Sequence, residues 1–179
     1  TDGNGDVLNN IYDKKYQIIT QKWNGKEYYR NSYDGYGDMI SHEDLINGVK
    51  EYYRYDLIGR LVSLNTSHGQ NLSLSYDKKN RLESLVQKVD TSRVKTRYLY
   101  GEAEKLQSPG LIYGLEVDDK KRMSCSYDQL ARQNGRTLHL DNSKTYGMSY
   151  EYLRGAQMGT TTTLVTSVTN GNQKLSYTY

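Results

Sequence analysis

Phenylalanine is absent from this chain of 179 residues, and cysteine and proline occur once each. The one cysteine, Cys125, has no partner for an internal disulfide, and no second cysteine or group of histidines is spaced to hold zinc. No stretch approaches the roughly 18–20 apolar residues that cross a bilayer, so no membrane span is expected, and the opening Thr1-Asp2-Gly3-Asn4 lacks a basic and apolar leader. Charge of a single sign is also missing. The 24 basic and 21 acidic residues are intermixed, the net charge is +3, and no basic stripe is available to track phosphates, so nucleic acid is not an expected partner. Apolar residues make up 35% of the chain, against roughly 45–50% in ordinary globular domains, which argues against a thick, dry core.

Tyrosine makes good part of the deficit, with 19 copies beside a single tryptophan. Its ring buries apolar area while its hydroxyl stays wet, which suits a thin, half-solvated sheet. Disorder normally goes with few aromatics and a large net charge. This composition therefore points to an ordered chain.

The tyrosines are periodic. Tyr12-Asp13, Tyr33-Asp34, Tyr55-Asp56 and Tyr76-Asp77 follow one another at 21, 22 and 21 residues, and Tyr127-Asp128 is a fifth copy. Degenerate copies fall at Tyr98-Leu99-Tyr100-Gly101, Tyr150-Glu151 and Tyr177-Thr178-Tyr179, giving about eight units in a single array over residues 1–179. A second mark lies eight or nine residues before the first four aspartates, at Gly5, Gly25, Gly48 and Gly69. Three of these belong to Asn4-Gly5, Asn24-Gly25 and Asn47-Gly48, a dipeptide that favours tight hairpin turns because both residues tolerate positive φ, and Asn170-Gly171 repeats it.

The Tyr-Asp step marks the opposite turn, where the carboxylate accepts backbone N–H groups and the third residue onward takes a left-handed conformation. Gly37, Gly59 and Asn80 occupy that position, and Arg60, Arg81 and Arg132 follow it where a guanidinium reaches back to the aspartate. Between turns, segments such as Leu72-Ser73-Leu74-Ser75-Tyr76 alternate with the period of a half-buried strand. Two strands and two turns per unit predict an all-β chain of tandem antiparallel hairpins in one curved sheet, about sixteen strands long, with almost no helix.

These motifs resemble the Rhs/YD-repeat family, whose repeat reads Tyr-Asp, two variable residues, Gly-Arg-Leu, a strand, an Asn-Gly-type turn and a returning strand. Tyr55-Asp56-Leu57-Ile58-Gly59-Arg60-Leu61 matches every fixed position, Tyr76-Asp77-Lys78-Lys79-Asn80-Arg81-Leu82 substitutes Asn for Gly, and Tyr127-Asp128-Gln129-Leu130-Ala131-Arg132 substitutes Ala. The resemblance weakens between Gly101 and Asp119, where Ser108-Pro109-Gly110 extends one unit. It implies a secreted or surface-exposed protein, usually bacterial, whose repeats form a hollow β-shell around a toxic C-terminal domain; related shells in animal teneurins serve adhesion. The Asp-Pro-containing self-cleavage motif of bacterial members has no match, since the only proline is Pro109 after Ser108. The chain reads as a slice of a larger array whose partners are neighbouring repeats and an enclosed toxin or effector domain, and its open strand edges predict edge-to-edge self-association of the fragment.

Sharper chemistry finds little support in the residues. Asp2, Asn4 and Asp6 imitate the start of a calcium loop, but Val7 replaces the required glycine and Asp13 stands in place of a bidentate glutamate, so neither a metal nor another cofactor is expected. His42, His68 and His139 are scattered, and no motif pairs them with a nucleophile. Glu43-Asp44 and Asp118-Asp119 are expected at turns or exposed strand ends and read as solvated. Trp23 with Tyr28, Tyr29, Tyr52 and Tyr53 forms a possible sugar-stacking platform, although packing between hairpins is the plainer use. Thr160 to Thr163 reads as a strand. The expected role is a structural shell or scaffold, not an enzyme; the alternative is a cell-surface adhesion or carbohydrate-binding module.

Overall fold

The computed structural model describes residues 2–102, 107–155 and 161–179. These contain fifteen strands and no helix. The first are β1 (Leu8–Tyr12), β2 (Ile18–Trp23), β3 (Lys26–Tyr33), β4 (Met39–Asp44), β5 (Val49–Tyr55), β6 (Leu61–Thr66), β7 (Gln70–Tyr76) and β8 (Leu82–Val89). After them come β9 (Ser92–Tyr100), β10 (Ile112–Val117), β11 (Lys120–Tyr127), β12 (Gln133–His139), β13 (Thr145–Arg154), β14 (Thr161–Asn170) and β15 (Gln173–Ser176). Strand order in the sheet is the order in the chain, and the pairing is antiparallel. The chain divides into two compact units, Thr1–Val94 and Lys95–Tyr179.

Alternation decides which side chains share a face. From Leu72 to Tyr76 in β7, Leu72, Leu74 and Tyr76 are half-buried while Ser73 and Ser75 are exposed, the pattern of a sheet with one drier side. In the second unit the same rule puts Ser124, Ser126, Gly135, Thr137 and Ser149 on one side, because Ser126 opposes Gly135, Ser124 opposes Thr137 and Gly135 opposes Ser149. No large apolar side chain among the described residues is fully buried. Stability therefore comes from many half-buried rings and a continuous backbone ladder, summed over nearest neighbours.

The two kinds of turn differ physically. At Asn24-Gly25 both residues have positive φ, 50° and 82°, which closes β2 onto β3 with Trp23 opposite Lys26. Asp118 and Asp119 adopt the same pair of conformations, 49° and 60°, between β10 and β11. The other Asn-Gly pairs do not repeat this turn. Asn47-Gly48 ends a longer loop opened by Asp44, whose carboxylate accepts the Ile46 and Asn47 amides, and Asn170 is the last residue of β14, facing Gln173. Asn-Gly is thus a turn signal here without a unique turn geometry.

At the Tyr-Asp end, the register slips by one residue at the tyrosine in the hairpins closed after Tyr12, Tyr33, Tyr55, Tyr76 and Tyr127. A bulge of this kind leaves one carbonyl out of the ladder and bends the strand. The extended unit closes through the Gly101 amide, which donates to the Leu111 carbonyl, and the Leu111 amide, which donates to that of Ser108.

Candidate functional site

The Tyr-Asp turn is one structure built several times. In each copy the aspartate amide donates to the carbonyl four residues on: Asp13 to Gln17, Asp34 to Asp38, Asp56 to Arg60, Asp77 to Arg81 and Asp128 to Arg132, all at 2.9 Å. The carboxylate Oδ1 accepts the amides of the second and fourth residues that follow, as with Ile58 at 3.1 Å and Arg60 at 3.0 Å from Asp56. The third position has positive φ throughout. Gly37, Gly59 and Asn80 hold it as the motif predicts, and Tyr16 at 62° and Ala131 at 61° hold it although neither residue type favours it.

The arginines reach back. Arg60 Nε and Nη2 lie 2.7 and 2.6 Å from Asp56 Oδ2, Arg81 sits 2.7 and 2.5 Å from Asp77, and Arg132 sits 2.6 Å from Asp128 through both nitrogens. Two of these guanidinium groups also touch the next repeat. Arg60 Cζ lies 4.4 Å over the Tyr76 ring and its Nη1 donates to Asn80 Oδ1 at 2.8 Å. Arg132 lies 4.4 Å over Tyr152 and donates to the Thr162 carbonyl at 2.7 Å. In the first repeat Gln17 stands in the arginine position and its amide donates to the Gly37 carbonyl at 3.0 Å, so the link to the next left-handed residue survives without charge.

The tyrosine hydroxyls make a second link that sequence reasoning missed. Tyr33 donates to the carbonyl of Ile18 (3.0 Å), Tyr55 to Met39 (3.0 Å), Tyr76 to Leu61 (2.8 Å), Tyr127 to Ile112 (2.8 Å), Tyr152 to Gln133 (2.6 Å) and Tyr179 to Val165 (2.9 Å). Every acceptor is the residue that opposes the preceding tyrosine at its bulge: Ile18 faces Tyr12, Met39 faces Tyr33, Leu61 faces Tyr55, Ile112 faces Tyr100, Gln133 faces Tyr127 and Val165 faces Tyr152. The ladder also corrects the reading of one degenerate copy. Glu151 lies inside β13, where it accepts from Ser167 and Lys174, and Tyr152, not Tyr150, holds the repeat position.

Charges respond to this geometry. The Asp56 and Asp77 carboxyls are held below the usual aspartate range, chiefly by the backbone amides of Arg60 and Arg81 and then by their guanidinium groups. Burial pushes the Tyr127 hydroxyl up, as it does Tyr55, where Asp38 and Asp34 add to the effect.

The aromatic platform is assembled in part. A second bulge, in β3 opposite Gln21 and Lys22, sets the Tyr28 and Tyr29 rings 4.4 Å apart, and with Trp23 and Ile46 they line a hollow of about 560 Å3. Tyr52 and Tyr53 stand apart from it: Lys50 lies 5.6 Å from the Tyr52 ring, and Tyr53 donates to Glu51 at 2.5 Å. Asp2 Oδ1 accepts the Asn4 and Asp6 amides, and Asp6 takes the Asn24 side-chain amide. Ser124 Oγ and His139 Nε2 meet at 2.7 Å, a contact no motif announced, while Asp141 is paired with Arg122. His42 contacts Asn31, and its ring lies tilted against Tyr29 with centroids 4.8 Å apart. Thr160 and residues 103–106 lie outside the described residues; Thr162 and Thr163 are in β14.

No family model matches the chain, and no curated protein matches it. Solved structures do. The chain is similar to a Tc holotoxin pore from Photorhabdus luminescens carrying a TccC3 mutation, with a TM-score of 0.69 at 17% identity over 91% of its length. It is equally similar to a TcdB2–TccC3–Cdc42 crystal structure, with a TM-score of 0.69 at 16% identity over 94%. In both cases the chain spans 9% of the matched chain. The likeness is one of fold, and at that level it agrees with the resemblance to the Rhs/YD-repeat family drawn from the motifs.

Proposed function

We propose that this chain is a length of structural wall from a larger Rhs/YD-repeat polypeptide, performing no catalytic step and serving to enclose or present a toxin or effector domain of the same parent. The observation that carries this reading is the tyrosine ladder. The most repeated residues in the sequence spend their polar groups on the preceding repeat, Tyr76 on Leu61 and Tyr152 on Gln133, and the arginines spend theirs on the next, Arg60 on Tyr76 and Asn80. Residues used this way maintain spacing between hairpins. The fold shared with toxin-complex chains supports the same reading and an extracellular, bacterial setting. The test is limited proteolysis of the intact parent polypeptide. A segment C-terminal to the repeats that resists digestion until the wall is denatured is the expected result, and one cleaved first under native conditions overturns it.

A second reading, adhesion through carbohydrate, is favoured by one observation, the hollow that Trp23, Tyr28, Tyr29 and Ile46 share. Flat aromatic faces suit sugar rings. Glycan-array binding that Trp23→Ala removes would support it, and an array without a signal would end it. Edge-to-edge association of the isolated 179-residue chain is expected under either reading, because β1 and β15 each have a neighbour on one side only. Sedimentation showing only monomer at high concentration would refute that.

A further inference from the structure

Five Tyr-Asp turns share one backbone, yet the residue after the left-handed position differs: Gln17, Asp38, Arg60, Arg81 and Arg132. Where it is arginine, the guanidinium has a defined place. Its fork lies on the turn aspartate, and for Arg60 and Arg132 its plane covers the tyrosine ring of the following repeat at 4.4 Å. At the second turn the same two partners are present, Asp34 and Tyr55. Tyr55 is positioned as Tyr76 is, with its hydroxyl on the Met39 carbonyl at 3.0 Å, and Asp34 Oδ1 accepts the amides of Tyr36, Gly37 and Asp38. The side chain that should cover them is reversed in charge, being Asp38.

The ion pairs among the described residues include neither Asp34 nor Asp38. The two carboxylates and Tyr55 border instead a concavity of about 750 Å3. Exposed apolar side chains stand on its rim, with Tyr36 97% exposed, Leu57 106% and Ile58 64%. Of its charged lining residues, Asp56 is already held by Arg60. Arg54 is in none of the ion pairs among the described residues, so it does not close on Asp34 or Asp38.

We infer that this concavity receives an arginine side chain from a partner polypeptide, whose guanidinium takes the place that the chain's own arginines fill in three other repeats. Asp34 accepts its fork, the Tyr55 ring stacks under its plane, and Asp38 supplies a second carboxylate. Apolar residues flanking that arginine lie on Tyr36, Leu57 and Ile58. A planar, bidentate and weakly hydrated cation suits an aspartate beside a ring face better than the compact ammonium of lysine does. A divalent ion is a poorer match, since no group of three His, Cys, Asp or Glu among the described residues is placed to hold one.

The test uses the whole chain and a blocked Leu-Arg-Leu tripeptide, with the neutral Leu-citrulline-Leu isostere as control. Amide resonances of residues 34–38 and 55–59 are followed by NMR. The arginine peptide is expected to shift them saturably and the citrulline peptide to bind at least about tenfold more weakly, because the charge-assisted pair is lost. Asp38→Arg should raise the melting temperature and abolish the shifts, its own guanidinium closing on Asp34 and Tyr55. Equal binding of both peptides, binding retained by Asp38→Arg, or a lowered melting temperature overturns the assignment. So do the same shifts on adding calcium or magnesium alone, or on concentrating the protein alone, which would put a cation or a second copy there. Should Asp38→Arg fail to fold, Asp34→Asn keeps the Oδ1 acceptor for the turn and removes the charge; it is expected to weaken the arginine peptide about tenfold, and unchanged affinity overturns the inference.

Discussion

Tyr76 donates its hydroxyl to the main-chain carbonyl of Leu61 at 2.8 Å, and Leu61 is the residue that faces Tyr55 across the bulge of the preceding repeat. One side chain thus reads the distortion made by the previous copy of itself. The bulge breaks the regular ladder beside Leu61, skipping Val62, and a half-buried carbonyl short of a donor costs free energy. The next tyrosine satisfies it.

Removing that hydroxyl should therefore cost more than its size suggests. Tyr76→Phe is expected to destabilise the chain by about 1 kcal/mol, with Tyr152→Phe, which strips Gln133 of its donor, behaving alike. Tyr36→Phe, at a residue 97% exposed, should change nothing measurable. Urea denaturation of the three variants checks the ranking.

Gly59 has φ of +80° and nothing within 4 Å of the position a Cβ would take, so a larger residue meets strain in the backbone and not a clash. Gly59→Val is expected to cost about 1–2 kcal/mol, and Gly59→Asn much less, since Asn80 already holds φ of 62° in the next turn. Equal melting temperatures for the two variants would contradict this.

Arg60 and Tyr76 should be energetically coupled. The ring contact at 4.4 Å predicts a coupling of about 0.5–1 kcal/mol in a double-mutant cycle of Arg60→Gln and Tyr76→Leu. Arg60→Lys keeps the charge and loses the fork and the stacking plane, and it is expected to recover only part of the wild-type stability.

Acid should loosen the turns. The Asp56 and Asp77 carboxyls titrate lower in the folded chain than in the unfolded one, so the folded state resists their protonation. Their stabilisation is complete above the unfolded aspartate value of about 4 and is lost as pH falls through the depressed folded values. Melting temperature followed from neutrality to about pH 2 should hold level and then drop below about pH 4. Asp56→Asn should flatten that drop.

Much of the fold was legible in the residues because a repeat restates its rules. Tyr55-Asp56 with Gly59-Arg60 names its own turn: the carboxylate, the left-handed glycine and the returning guanidinium are all within four residues of one another, and local chemistry is what a sequence displays. Tyr16 and Ala131 were not legible as left-handed positions, since the turn around them overrides their preference. Nor was the register at Tyr152, because Tyr150 and Tyr152 look alike until the strand pairing shows which one meets the bulge.

The alternation of apolar and polar residues, the two turn chemistries and the all-β character were determined by the sequence itself, since each depends on neighbours a few positions apart. Tertiary structure alone decided what spans a whole hairpin. It set the Tyr76 hydroxyl on Leu61, fifteen residues back, placed Arg60 over Tyr76, brought Trp23 and Tyr28 to the same hollow, and left Asp34, Asp38 and Tyr55 bordering one concavity where other repeats carry an arginine. Those relations follow from register, and register is settled only when strands pair, because a slip of one residue turns every side chain to the opposite face.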